Sequence, residues 1–162
     1  MADTENAITL ALRGENPKVM ARMRSGFAVI GDTQYLPGYS VLLSADEHVD
    51  HPTELPWLDR RAFFFDLTIL GEAVFNARRK HGVWRINYEV LGNSWPHMHG
   101  HVHARYASEP ADKIVGPVWR YPKEVRNSPE FAYDDEKHGQ LRVEITTELE
   151  KAMADAYAAV PE

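Results

Sequence analysis

Residues 97–104 alternate strictly: His97-Met98-His99-Gly100-His101-Val102-His103-Ala104, an imidazole against an apolar or small residue each time. A period of two is the side-chain period of a β-strand, in which successive residues face opposite sides of the sheet. The run predicts a strand over 97–105, with four imidazoles on one face and Met98, Gly100, Val102 and Ala104 on the other. A slip of one residue would bury every imidazole, so packing the apolar face under a covering layer fixes the register and aims the histidines away from it. The chain must therefore build a sheet with one face covered and four of its eight histidines on the opposite face.

The remaining sequence supplies such a sheet. Residues 27–30 and 39–43 read as strands joined by the turn-rich connector 31–38. Over 83–91, Trp84, Ile86, Tyr88 and Val90 alternate with Arg85, Asn87 and Glu89, which predicts another strand. A helix is expected over 57–79, where Phe63, Leu67, Leu70, Val74 and Ala77 share a stripe and His81-Gly82 closes it. A terminal helix over 140–157 carries Leu141, Ile145, Leu149, Ala152 and Ala156 on one face. Asn16-Pro17 predicts a short helix over 17–24 ending at Gly26. Residues 44–56 read as loop, and 106–138 as irregular apart from 115–121. The expected fold class is α+β, an antiparallel sheet covered by helices. Residues 1–15 are expected as a loosely held N-terminal arm, and 16–162 as a single domain.

Composition narrows the function. The 162 residues allow one sizeable core. No apolar run approaches the roughly 18 residues of a membrane span, and the acidic N-terminus does not resemble a secretory signal, so a cytoplasmic protein with no membrane partner is expected. With no cysteine, disulfides and thiolate metal sites are excluded. A formal charge of −6, from 18 Lys+Arg against 24 Asp+Glu, argues against tracking a nucleic-acid backbone, which requires extensive phosphate neutralisation. A local pocket for a few phosphates stays open.

The histidine row has three readings. It is a solvated polar face; or it chelates a metal, with His48 or His51 completing the set, the nearest downstream carboxylate being Glu109; or one imidazole is a nucleophile and the others assist it. Imidazole suits the last role because it titrates near neutrality and, when neutral, attacks phosphorus while its second nitrogen holds or accepts a proton.

The stretch 86–102, Ile-Asn-Tyr-Glu-Val-Leu-Gly-Asn-Ser-Trp-Pro-His-Met-His-Gly-His-Val, resembles the signature of the histidine-triad superfamily, His-φ-His-φ-His-φ-φ with φ apolar. The Asn-Tyr-Glu-x-Leu-Gly-Asn run before it is similar to that of bacterial members, and the likeness extends over residues 26–105. The resemblance implies a nucleotide hydrolase or transferase acting at the α-phosphate of a nucleotide conjugate, such as a dinucleoside polyphosphate or nucleoside phosphoramidate. It implies His99 as the nucleophile that becomes nucleotidylated, with His97 and His101 orienting it and bonding the phosphate. Asn87, Asn93 and Ser94 match phosphate-contacting positions, Asp32 resembles the acidic residue that holds the ribose hydroxyls, and His48 an accessory histidine. A homodimer is implied, and no metal is required, although a divalent ion could accompany a polyphosphate.

Departures from the pattern are His103 and Ala104 after the triad, Gly100 within it (expected to admit a large side chain from the covering layer), and Ser44-Ala45-Asp46-Glu47 before His48. In Gly116-Pro117-Val118-Trp119-Arg120-Tyr121-Pro122, Arg120 is the expected contact to the leaving group. The alternatives kept beside this reading are a metal-dependent hydrolase using the same histidines and a non-catalytic nucleotide sensor.

Overall fold

The computed structural model describes residues 6–161. In chain order the elements are α1 (Ala7–Leu12), β1 (Val19–Arg22), β2 (Gly26–Ile30), β3 (Ser40–Ser44), α2 (Trp57–Arg78), β4 (Val83–Glu89), β5 (His99–Tyr106), two short helices α3 (Ala111–Ile114) and α4 (Lys123–Arg126), and α5 (Asp135–Ala159). The five strands form one antiparallel sheet in the order β1-β2-β3-β5-β4. The histidine strand β5 thus lies inside the sheet, and β4 is an outer strand.

One face of the sheet carries the main core. Met98, Val102 and Ala104 pack there with Phe63, Leu67, Leu70, Val74 and Ala77 of α2 and Leu141, Ile145 and Leu149 of α5. Both predicted helical stripes are therefore the buried stripes. Each fully buried large side chain contributes about 1.5–3 kcal/mol. Gly100 sits under Leu67: a Cβ added there would stand 2.7 Å from Leu67 Cδ1. The absent side chain lets α2 approach β5 closely, as its place in the row suggests. Asp66, fully buried on α2, ties three parts of this layer together. Its carboxylate accepts from the Ser25 N–H and hydroxyl, each at 2.7 Å, and from the Tyr157 hydroxyl of α5 at 2.7 Å.

The opposite face is covered over β2 and β3 by α1, whose Ile8 and Ala11 are buried against Phe27, Val29, Val41 and Leu43. The described part of the N-terminal arm is thus docked rather than loosely held. The expected helix over 17–24 is instead strand β1. Asn16 caps a turn, its Oδ1 accepting from the Lys18 N–H at 3.0 Å, and only four residues follow before the chain reverses. Asn-Pro opens turns as readily as helices, and pairing with β2 decides the outcome for so short a segment. Gly26 does not end a helix. It begins β2, where a Cβ would stand 1.8 Å from the Leu43 carbonyl oxygen of β3. Strand β5 starts at His99: Met98 donates its N–H to the Val49 carbonyl at 2.8 Å, and its carbonyl accepts from the Ser44 N–H of β3 at 3.0 Å.

Candidate active site

His97, His99, His101 and His103 share the face opposite the main core, and their partners determine where their protons lie. The His99 Nδ1–H donates to the His97 carbonyl at 2.6 Å. A carbonyl oxygen only accepts, so Nδ1 carries the proton and Nε2 of neutral His99 carries a lone pair. That lone pair meets His101 Nε2 at 3.1 Å, so His101 is the donor through Nε2–H. Its Nδ1 is then an acceptor, and the Tyr39 hydroxyl donates to it at 2.8 Å. The direction of the chain is Tyr39 to His101 to His99 to the backbone.

His97 is held apart from this relay. Its Nδ1–H donates to the Glu47 carbonyl at 3.0 Å, and its Nε2 accepts from Asn6 Nδ2 at 3.0 Å. Both ring nitrogens are spent on protein groups, so His97 serves as an anchor whose carbonyl orients His99. Trp95, from the turn preceding the row, packs its indole 5.0 Å from the rings of both His97 and His99.

His103 is the most deeply buried of the four rings. It stacks on Tyr39 at 4.5 Å and 4°. Its Nε2 faces Glu89 Oε2 of β4 at 3.7 Å, and neither buried atom has a hydrogen-bond partner among the described residues. Trp119 stands edge-on to His101 and His103, and the Arg126 guanidinium lies 4.4 Å from the Trp119 ring centre.

Burial controls the electrostatics. It pushes the His99 imidazole below its ordinary value, with the nearby His97 adding to the depression against the carbonyl bond that favours the cation. Burial and His99 together lower His101 to about 4. Burial lowers His103 to about 3, helped by His101, Arg105 and Arg126. The Glu89 carboxyl is raised by burial, against the Trp119 N–H and the Arg105 and Arg126 charges. At neutral pH the inner histidines are uncharged, and the His99 lone pair accepts from the His101 N–H.

The other residues singled out by sequence scatter. Asn87 lies on the histidine face of β4, opposite His103, but its Oδ1 accepts from Arg105 at 2.8 Å. Asn93 and Ser94 are exposed in the turn leading to Trp95. Asp32 is exposed at the end of β2 and paired with Lys18, and its charge is felt at the Tyr39 hydroxyl. His48 is exposed, and none of the hydrogen bonds or ring contacts of the histidine row among the described residues involves it; the neighbouring Glu47 supplies that loop's contact. His51 caps a turn over 52–54, away from any role in the row. Arg120 donates to the Asp112 carbonyl at 3.3 Å, so the cation beside the histidines is Arg126.

Sequence reasoning missed Tyr39, Glu89, Arg126 and Arg105. Arg105 carried a signal, since it continues the period of the row by one more step. It is fully buried, forks onto the Glu109 carboxylate at 2.8 Å, and also bonds the Lys113 and Gly116 carbonyls, fastening the chain after β5. Among the described residues no group of three or more His, Asp or Glu is placed to hold a metal ion.

An antiparallel five-stranded sheet, with α2 and α5 on one face and a row of histidines on the other, defines the class. Its fold is that of the histidine-triad proteins. A histidine-triad protein from Sinorhizobium meliloti superposes with a TM-score of 0.66 at 21% identity, over 80% of this chain and 87% of that one. One from Marinobacter aquaeolei gives 0.66 at 22% identity, over 83% and 89%. A hypothetical histidine triad nucleotide-binding protein from Sulfolobus tokodaii gives 0.66 at 11% identity, over 90% and 91%. No protein-family model matches the chain, and no curated protein matches it. No described helix is long and apolar enough to cross a membrane.

Proposed function

We propose that this chain is a histidine-triad enzyme that hydrolyses or transfers at the α-phosphate of a nucleotide conjugate through His99. The observation that carries the reading is the tautomer chain. The His99 Nδ1 proton is committed to a backbone carbonyl at 2.6 Å, leaving Nε2, which meets the His101 N–H, as the nucleophilic nitrogen. Attack of this lone pair on phosphorus forms a P–N bond while the bond to the leaving group breaks, and the leaving group takes a proton from solvent, to which the attacking water of the next step returns one. Water then cleaves the P–N bond, returning neutral His99 and releasing the nucleoside monophosphate. Splitting the displacement into two steps gives ping-pong behaviour. His101 Nε2–H, which rests on His99, is the donor positioned to turn onto a phosphate oxygen as the substrate enters. Preorganised donors of this kind are each worth about 3–4 kcal/mol at comparable centres.

Asn93 and Ser94 suit phosphate contact because they are exposed beside the row and Trp95 fixes their turn. Asp32, exposed at the end of β2, suits the ribose hydroxyls. Asn87 holds Arg105 through its Oδ1, and its Nδ2 is the donor suited to a phosphate oxygen. The scheme needs no metal for bond breaking, and the metal-dependent reading draws little support from His97, both of whose ring nitrogens are spent on groups outside the row. The fold neighbour named a nucleotide-binding protein agrees with the ligand class.

A homodimer through β4 belongs to the same reading. This strand is one of the two outer strands of the sheet, with Trp84 and Tyr88 exposed, and a groove along it is lined by Trp84, Arg85, Val115 and Pro117. An open apolar edge is a template for pairing, and a second copy of the same strand closes it symmetrically.

Intact-protein mass spectrometry during turnover of an adenosine 5′-phosphoramidate, with chelator present, tests the reading. A transient nucleotidyl adduct, absent in a folded His99→Ala variant that has lost turnover, is expected. Retained turnover in that variant, or turnover that requires added metal and gives no adduct, would overturn it.

A further inference from the structure

We propose that Arg126 is a specificity-determining residue: its guanidinium, held over Trp119 beside the histidine row, receives a phosphate of the leaving group. The chain then favours conjugates that leave as phosphate anions over those that leave as amines. This consequence rests on the nucleotidyl-transfer reading above, whereas the place and pairing of the cation stand on geometry.

Two cations act on the row. Arg105 and Arg126 both bear on the His103 imidazole and the Glu89 carboxyl, and Arg126 bears on the Tyr39 hydroxyl as well. Arg105 is spent. Its guanidinium bonds the Glu109 carboxylate, Asn87 Oδ1 and the Lys113 and Gly116 carbonyls. Arg126 is not. Among the described residues no ion pair includes it, and its side chain makes one long hydrogen bond, from Nη1 to Asn127 Oδ1 at 3.5 Å. Its Nε–H is buried and has no partner there either. A buried donor left unmade costs free energy, more so on a charged group. A guanidinium with open N–H groups is the side chain shaped to receive a phosphate, which it can fork with two parallel bonds.

The fold fixes this cation at one end of the row. Arg126 closes α4, donating its N–H to the Pro122 carbonyl at 3.1 Å, and its own carbonyl accepts from the Thr33 hydroxyl at 2.7 Å. The Tyr133 N–H on the Asp32 carbonyl at 2.8 Å and the Gln34 N–H on the Phe131 carbonyl at 2.7 Å lace the same segment to the loop after β2. Trp119 bonds Glu89 and stands edge-on to His101 at 6.0 Å and to His103 at 5.7 Å. Its ring carries the guanidinium at 4.4 Å. From His99 the order is therefore His101, Trp119, Arg126. A phosphorus bonded at His99 Nε2 lies at the near end of this line, and a leaving group built of further phosphates has the line to extend along. An amine ends one atom beyond phosphorus and meets no cation. Glu89 is the carboxylate that would oppose an anion here, and the Arg105 charge offsets it.

The experiment measures kcat/KM of wild type, Arg126→Gln and Arg126→Lys on two substrates with chelator present. Diadenosine tetraphosphate leaves as a polyphosphate, and adenosine 5′-phosphoramidate leaves as ammonia. Arg126→Gln is expected to lower the value for the tetraphosphate by about 10- to 100-fold, the scale of one charged hydrogen bond. It should leave the value for the phosphoramidate within about twofold, as a substitution outside that substrate's contacts does. Arg126→Lys keeps the charge without the fork and should recover part of the loss. A second measurement needs no turnover. On a His99→Ala background, calorimetry compares ATP with AMP. ATP is expected to bind more tightly, and Arg126→Gln to remove that advantage while leaving the AMP affinity unchanged. Equal losses on both substrates, no loss on the tetraphosphate, or an ATP advantage that survives Arg126→Gln would each overturn the proposal. A wild type that turns over neither substrate would sink the enzymatic reading instead, and the comparison of ATP with AMP would still decide whether Arg126 receives a phosphate.

Discussion

An imidazole works as a nucleophile only while it is neutral, and burial in this site extends the neutral range downward. His99 lies below the ordinary value of 6.5, His101 near 4 and His103 near 3. The acid limb of kcat/KM is therefore expected below pH 6.5, with a flat profile from there to pH 8, and a pH–rate series checks it. Stability carries the same sign. The unfolded chain takes up protons near 6.5, whereas the folded histidines refuse them. Folded stability is thus complete above that value and drains away as pH falls toward 4 and then 3. Glu109 adds to the loss in acid: burial raises its carboxyl, but Arg105, the Tyr106 N–H and the Tyr121 hydroxyl outweigh it, so its contribution goes as pH drops through its lowered folded value. Thermal melts from pH 7 to pH 3 should show a Tm that falls steadily. At this scale, the triad was legible because its period of two is a local property of the chain. Tyr39, Glu89 and Arg126 were not legible, because they reach the row from three other segments and nothing in their neighbours marks them.

Helices and strands were read correctly wherever an apolar period ran long enough to dominate. The stripe of α2 and that of α5 both face the sheet as expected. The failure came at β1, four residues whose capping signal suits either a turn or a helix and whose structure is decided by a partner strand. What joins the layers was equally invisible in sequence. Asp66 lies within the helical pattern of α2 like any polar residue, yet it is fully buried and satisfies Ser25 and Tyr157 together. Asp66→Ala would leave a buried N–H and two hydroxyls without an acceptor, and is expected to cost about 3 kcal/mol or more. Chemical denaturation measures this, and Asp66→Asn, which keeps an acceptor, should lose less.

At the scale of the molecule, the sheet ends in an unblunted strand. If β4 pairs with β4 of a second copy, sedimentation equilibrium should return a dimer, and Trp84→Glu should weaken it by about 2 kcal/mol or more, roughly thirtyfold in dissociation constant. A monomer at every accessible concentration would refute the pairing. The strand order has another consequence, for how the chain is made. During synthesis, β1, β2 and β3 emerge first and can pair as a meander, but the outer side of β3 stays open until β5 arrives about sixty residues later, after α2 and β4. All five residues of β3 are buried in the finished protein, so a nascent chain halted before residue 99 displays an apolar edge of the kind that recruits chaperones or aggregates. The strand that closes this edge is the one that bears the histidines. Completion of the sheet and assembly of the chemistry are thus a single event, and no translation intermediate lacking β5 can carry the row.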